Sequence, residues 1–213
     1  MAMGYRAAMI VAHPDDETLW AGGTALLHPG WEWFVAALSR AADPDRAPRF
    51  AHALERLGAS GRMGNLDDGP AQDPLDDTEV ANTIATLLPG GHWKLVLTHG
   101  PKGEYTRHRR HEETCRAVVG LWGAGRLRCD ELWLFAYRDD GGRGLPRADP
   151  AAHRMQVLES GTWEEKYRIL TECYGFSASS FEARATPRNE AFWCFSDPQE
   201  AKEFLESTAG RET

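Results

Sequence analysis

Residues 9–23 read MIVAHPDDETLWAGG, and how this stretch is parsed decides the reading of the whole chain. Met9-Ile10-Val11-Ala12, with Ala7 and Ala8 ahead of it, has the continuous apolar character of a strand buried on both faces. It stops abruptly at His13-Pro14-Asp15-Asp16-Glu17, and TLWAGGTALL then resumes an apolar pattern at helical length. Strand, polar junction and helix together make the opening unit of an α/β domain.

The alternation repeats along the chain. WEWFVAALS (31–39), KLVLTHG (94–100), ELWLFAY (131–137) and EAFWCF (190–195) read as strands, and GRMGNLDDGP as a short strand or loop. PRFAHALERLG (48–58, closed by Gly58), TEVANTIATLL (78–88), HEETCRAVVGLW (111–122) and TWEEKYRILTECYGF (162–176) read as helices. Strands alternating with helices predict one α/β domain with a mainly parallel sheet flanked by helices. We place it at residues 1–196, with 197–213 as a polar C-terminal tail. Segments 41–49 and 138–152, rich in Gly, Pro and charge, read as mobile loops.

Bulk composition bounds the function. The chain has 213 residues and a net charge of −8, which argues against a nucleic-acid partner. No apolar run reaches the roughly 20 residues that span a bilayer, and the N-terminus carries no leader-like pattern. Four widely spaced cysteines without a CxxC fit a reducing cytoplasm. A homo-oligomer is left open.

In an open α/β sheet, ligands bind beyond the carboxyl ends of the strands. His13-Pro14-Asp15-Asp16 and Thr98-His99-Gly100 both fall there. An Asp in such a junction usually caps the next helix, which explains one acid but not a His, two Asp and a Glu together. Metal binding explains more. His13 and Asp16 lie three apart and can converge on one point, and a catalytic zinc takes three protein ligands and keeps one position open. The third ligand is sought in RHRRH, where His108 and His111 are also three apart; His99 reads as a weaker, loop candidate. With His111 as ligand, Asp15 is free to act as general base, and His108 to donate to an oxyanion or a leaving amine.

The motifs AHPDDE (12–17), THGPKGEY (98–105) and the later His108-x-x-His111 resemble the LmbE-like zinc deacetylases, also called the PIG-L or N-acetylglucosaminyl deacetylase family. The resemblance runs from about residue 7 to about residue 122. It implies a single Rossmann-like domain and zinc as cofactor, held by His13, Asp16 and His111. It also implies Asp15 as general base, His108 as the transition-state histidine, and Arg46 and Glu104 at the substrate. The implied reaction removes an N-acetyl or other N-acyl group from a small-molecule amino sugar or related glycoconjugate.

Two departures from the family pattern stand out. Arg110 occupies the place of a common acid before the last zinc histidine, where a cation should lower the pKa of His108. Arg49 lies near a position that is usually acidic, which suggests a more anionic substrate. Rival readings are a non-haem iron site, a non-catalytic metal- or sugar-binding module of the same fold, and a dinucleotide domain. The last lacks the Gly-x-Gly turn after its first strand, Gly22-Gly23 being better read as close helix packing.

Overall fold

The computed structural model describes residues 4–209. Strands β1 (Arg6–Val11), β2 (Glu32–Ser39), β3 (Ala59–Leu66), β4 (Trp93–Thr98) and β5 (Cys129–Phe135) run parallel. Two-residue strands β6 (Tyr137–Arg138) and β7 (Arg147–Ala148) form a separate antiparallel ribbon. Strands β8 (Arg154–Val157) and β9 (Asn189–Phe195) complete the main sheet in antiparallel sense, giving the order β3-β2-β1-β4-β5-β9-β8. The α/β architecture with a mainly parallel sheet flanked by helices is the one the sequence implies.

Helices α1 (Asp16–Leu27), α2 (Arg46–Leu57), α3 (Asp77–Leu87), α4 (Arg109–Gly123), α5 (Ser160–Arg168), α6 (Phe181–Ala185) and α7 (Pro198–Ala209) surround the sheet. Because side chains alternate along a strand, Ala7, Met9 and Val11 enter the core layer under α1 and α2. Ala8 and Ile10 enter the opposite layer under α3, α4 and α7. Each of Met9, Ile10 and Val11 is fully buried, which contributes about 1.5–3 kcal/mol apiece.

Several expectations are adjusted. Segment 41–49 is shorter than a loop reading requires, because α2 already begins at Arg46. Segment 138–152 is shaped by the β6–β7 ribbon. The helix over 162–176 splits into α5 and a π-helical turn, Ile169–Cys173. Beyond Asp197 the chain forms α7, which buries Ala201 and packs Phe204 and Leu205 on the core. No described helix is long and apolar enough to cross a membrane.

Helix α1 is locked from behind. A Cβ at Gly23 would lie 2.4 Å from Leu158 Cδ1 and 2.9 Å from Glu190 Oε1, so the glycine permits this approach. Glu190 accepts from Gly23 N, Thr24 N and Thr24 Oγ1, each at 2.7 Å, and pairs with Lys166 Nζ at 2.6 Å. Glu190 and Lys166 are both fully buried.

The chain leaves β1 outward through β2 to β3, then returns to place β4 on the other side of β1. That reversal opens a crevice at the carboxyl ends of β1 and β4.

Candidate metal centre

The crevice is floored by the β1–α1 junction. Asp15 holds the position just before α1 with φ 128° and ψ −28°, and its side chain makes no cap hydrogen bond. Helix capping therefore does not explain it. Such a backbone on a non-glycine residue costs about 1–3 kcal/mol. The turn is fastened by Glu17, whose buried carboxylate accepts from Asp15 N (2.9 Å), Thr18 Oγ1 (2.6 Å) and Tyr174 Oη (2.7 Å). Asp16 folds back on the junction: its Oδ2 accepts from His13 N at 2.9 Å and its Oδ1 from Trp20 Nε1 at 3.0 Å.

Helix α4 brings His111 to the same point. His13 Nδ1, Asp16 Oδ2 and His111 Nε2 form a triangle with edges of 3.0 Å, 3.2 Å and 3.3 Å. Donors about 2.0–2.1 Å from a tetrahedral zinc stand ~3.3 Å apart, so the edges match such a face.

Proton positions, assigned from the hydrogen-bond partners, sharpen the point. His111 Nδ1 is held by Glu104 Oε2, and His13 Nε2 by Asp68 Oδ1 at 2.9 Å. A carboxylate accepts an N–H there, so each imidazole turns a lone pair toward the triangle. With both histidines neutral, three lone pairs would converge at this point, a donor set that suits a cation. Two histidines and a carboxylate suit zinc as a donor set.

The electrostatics agree. Burial opposes charge on His13, but hydrogen bonds to Asp16 and Asp68 push its pKa up to about 9. His111 is also raised, Asp16 and Glu104 overcoming burial. Asp16 is held well below the usual carboxylate range, as His111 and His99 outweigh its burial. The pocket thus stabilises positive charge at its centre.

His99, expected as a loop histidine, is fully buried and stacks on His111 at 3.8 Å between ring centroids. Its Nε2 accepts from Ala12 N at 2.9 Å and its Nδ1 faces Glu104 at 2.9 Å, so both nitrogens are engaged. Glu104 requires a correction. It is fully buried, with Oε2 shared by His99 and His111 and Oε1 accepting from Gly100 N at 2.9 Å. The geometry makes it a support behind the histidines, not the substrate contact expected from the sequence. Gly100 is required here: a Cβ would lie 2.4 Å from Phe135 O.

A cleft of about 290 Å³ opens over the triangle, lined by His13, Asp15, Arg40, Arg46, Asp68 and His108 among others. That is at the small end of ligand-sized clefts, about 300–1,000 Å³. Asp15 sits in its wall with Arg46 Nη1 3.4 Å from Oδ2. Burial, and then the Asp16 charge, raise the Asp15 pKa well above its ordinary value. The structure thus brings together His13, Asp15, Asp16, Arg46, His108 and His111.

His108 is half-buried, and its Nδ1 has no hydrogen-bond partner among the described residues. Its pKa is held down to about 3, by burial first and then by the His111 and His13 imidazoles. The lowering expected from Arg110 therefore has another cause. The buried Arg110 guanidinium contacts Asp67 O (2.6 Å), Asp73 O (2.8 Å) and Glu113 Oε2 (2.5 Å).

The sequence reading missed the roles of Asp68, Arg40 and Gln72, and it missed Phe181 and Glu182, which close the cleft from α6. The 67–73 loop lines the cleft through Asp68 and Gln72, whereas Arg138, Asp139 and Asp149 border a separate cavity of about 680 Å³ behind the 100–107 loop.

Fold and site define an α/β protein with a cluster of two histidines and one aspartate, a candidate cation site, at the switch point of its sheet. The chain belongs to the PIG-L family: the family model described as GlcNAc-PI de-N-acetylase matches residues 8–122, which include the whole junction and His111. Uncharacterized protein L374 of Acanthamoeba polyphaga mimivirus is 23% identical over 127 residues, 53% of this chain and 56% of that protein. The chain thus spans about half the length of this curated relative. Among the solved structures that share the fold are two of different stated activity. GalB, the 4-carboxy-2-hydroxymuconate hydratase from Pseudomonas putida, has a TM-score of 0.63 at 15% identity, covering 90% of this chain and 96% of that one. N,N'-diacetylchitobiose deacetylase from Pyrococcus horikoshii has a TM-score of 0.67 at 14% identity, covering 90% and 84%.

Proposed function

We propose that the chain is a zinc-dependent N-deacetylase, a hydrolase that removes the N-acetyl group of an amino sugar or related glycoconjugate. The observation that carries this reading is the triangle of His13, Asp16 and His111 donor atoms with the strained Asp15 carboxyl in the same cleft. When bound by His13, Asp16 and His111, zinc would supply Lewis acidity toward a carbonyl and toward water.

The protein groups do the rest. Asp15, with its raised pKa, takes a proton from the water that attacks the amide carbon. A C–O bond forms, the C–N bond breaks, and the proton passes from Asp15 to the departing nitrogen, giving acetate and a free amine. His108 is neutral across ordinary pH and donates an N–H to the developing oxyanion, a role better suited to it than that of proton donor. Arg46, on the cleft wall beside Asp15, holds the hydroxyls of the sugar.

The fold does not decide the chemistry, since GalB, a hydratase, shares it. Metal content of the purified protein, compared with H111A, and acetate release from a panel of N-acetylated amino sugars test the reading. About one zinc per chain, lost in H111A, together with acetate release bears it out. Zinc without acetate release favours a metal- or sugar-binding module. A wild type that takes up no zinc overturns the metal site.

A further inference from the structure

The acid that commonly precedes the last metal histidine is replaced here by Arg110, and the structure gives this arginine a different task. Its guanidinium is 3% exposed. It donates through Nε to Asp67 O at 2.6 Å and through Nη2 to Asp73 O at 2.8 Å, so it grips both ends of the 67–73 loop. Glu113, one helical turn on, fixes the grip: Oε2 accepts from Arg110 Nη1 at 2.5 Å and Oε1 from Leu75 N at 3.1 Å.

The clamped loop presents one side chain to the centre. Asp68 Oδ1 meets His13 Nε2 at 2.9 Å and accepts from Gln72 Nε2 at 3.2 Å, while Oδ2 accepts from Arg40 Nε at 2.7 Å. The strand end that carries His13 supplies no other partner for this nitrogen among the described residues. The Nε2 side of His13 is therefore held by a loop, and Arg110 grips that loop at both ends.

We propose that Arg110, clamped by Glu113, is a positioning residue for the metal ligand His13, acting through the 67–73 loop and Asp68. The inference rests on the metal site proposed above. It makes α4 responsible for two ligands: His111 directly, and His13 through its neighbour Arg110. A carboxylate behind each histidine then sets both donor nitrogens, Glu104 for His111 and Asp68 for His13.

The test is a double-mutant cycle on zinc affinity, read by competition with a chelator in wild type, D68N, R110M and D68N/R110M. Loss of such a supporting partner typically weakens metal binding about 10- to 100-fold. D68N and R110M should each do so, and the double variant should be no weaker than the weaker single, because both act on one contact. Fold losses that multiply, or wild-type affinity in R110M, overturn the proposal. Ring nitrogen shifts of His13 in protein labelled with 15N-histidine give a readout that needs no zinc. D68N and R110M should move the Nε2 signal in the same direction, and an R110M spectrum with His13 unmoved refutes the clamp. If the wild type binds no zinc, the metal reading fails while the His13 shifts still decide the clamp. Should R110M not fold, E113Q replaces it, loosening the guanidinium without removing it.

Discussion

Replacing Glu104 with Gln changes one oxygen to NH2 and leaves the shape intact, yet the site has no good way to accept the exchange. With the amide oxygen toward the histidines, His99 and His111 keep their acceptor, but the NH2 then faces Gly100 N–H, donor against donor. With the amide reversed, NH2 faces both Nδ1 atoms. His111 must then carry its proton on Nε2, inside the metal triangle, and His99 must point an N–H at Ala12 N–H. The first arrangement is the lesser fault and leaves one buried donor unsatisfied, a cost of about 1–3 kcal/mol. At about 2–4 °C per kcal/mol for a domain of this size, the Tm should fall by about 2–12 °C.

Zinc should also bind about 10- to 100-fold more weakly, since a neutral amide makes His111 a poorer donor than a carboxylate does. Chelator competition and thermal unfolding of E104Q measure the two effects separately. Deacetylation kinetics provide the contrast. If Glu104 touched substrate, E104Q would raise KM while zinc affinity and Tm stayed at wild-type values. That result would refute the reasoning and restore the contact expected from the sequence.

Three further outcomes are expected. K166M should destabilise the protein by about 3–5 kcal/mol in urea unfolding, because it leaves the Glu190 carboxylate buried without its cation; a loss below about 1 kcal/mol contradicts this. D15G and D15N should both lose at least about 100-fold in turnover, but D15G should be the more stable by about 1 kcal/mol, since glycine alone relieves the φ of 128°. Equal unfolding midpoints would remove strain from the account. His108 titrates at about 3 when folded and ~6.5 when unfolded, so the unfolded chain takes up the proton more readily. The stability owed to neutral His108 is complete above pH ~6.5 and is lost as pH falls toward its folded value. H108Q should therefore flatten the acid loss of stability in metal-free protein, and parallel curves would count against it.

The legible parts of the molecule are those written locally. Continuous apolar runs gave β1, β2, β4 and β5, and an abrupt change to His13–Glu17 marked the strand end where a parallel sheet binds ligands. The hidden parts depend on partners far along the chain. Asp68 lies in a stretch whose Gly, Pro and Asp content reads as ordinary turn chemistry, and nothing near it in sequence announces His13, 55 residues away. Phe181 and Glu182 reach the cleft from a five-residue helix with no pattern of its own. Arg110 looked like a charge acting on the adjacent turn, but the helix points it at a loop on the other side.

Within the local motif, the three-residue spacing already pairs Asp16 with His13, and backbone conformation adds a second reason to separate the two aspartates. Asp16 has helical neighbours and turns its carboxylate back onto His13 N and Trp20 Nε1, which leaves Oδ2 aimed at His111. Asp15 carries the positive φ and forgoes the cap bond that its position offers. A residue that gave only helix stability would take that bond and avoid the strain. The surrounding structure, Glu17 on Asp15 N and Tyr174 on Glu17, holds Asp15 in the costlier conformation. Strain imposed from several sides at a cleft-facing carboxyl is best understood as the cost of function, which supports the proposal of proton transfer for Asp15 and metal ligation for Asp16.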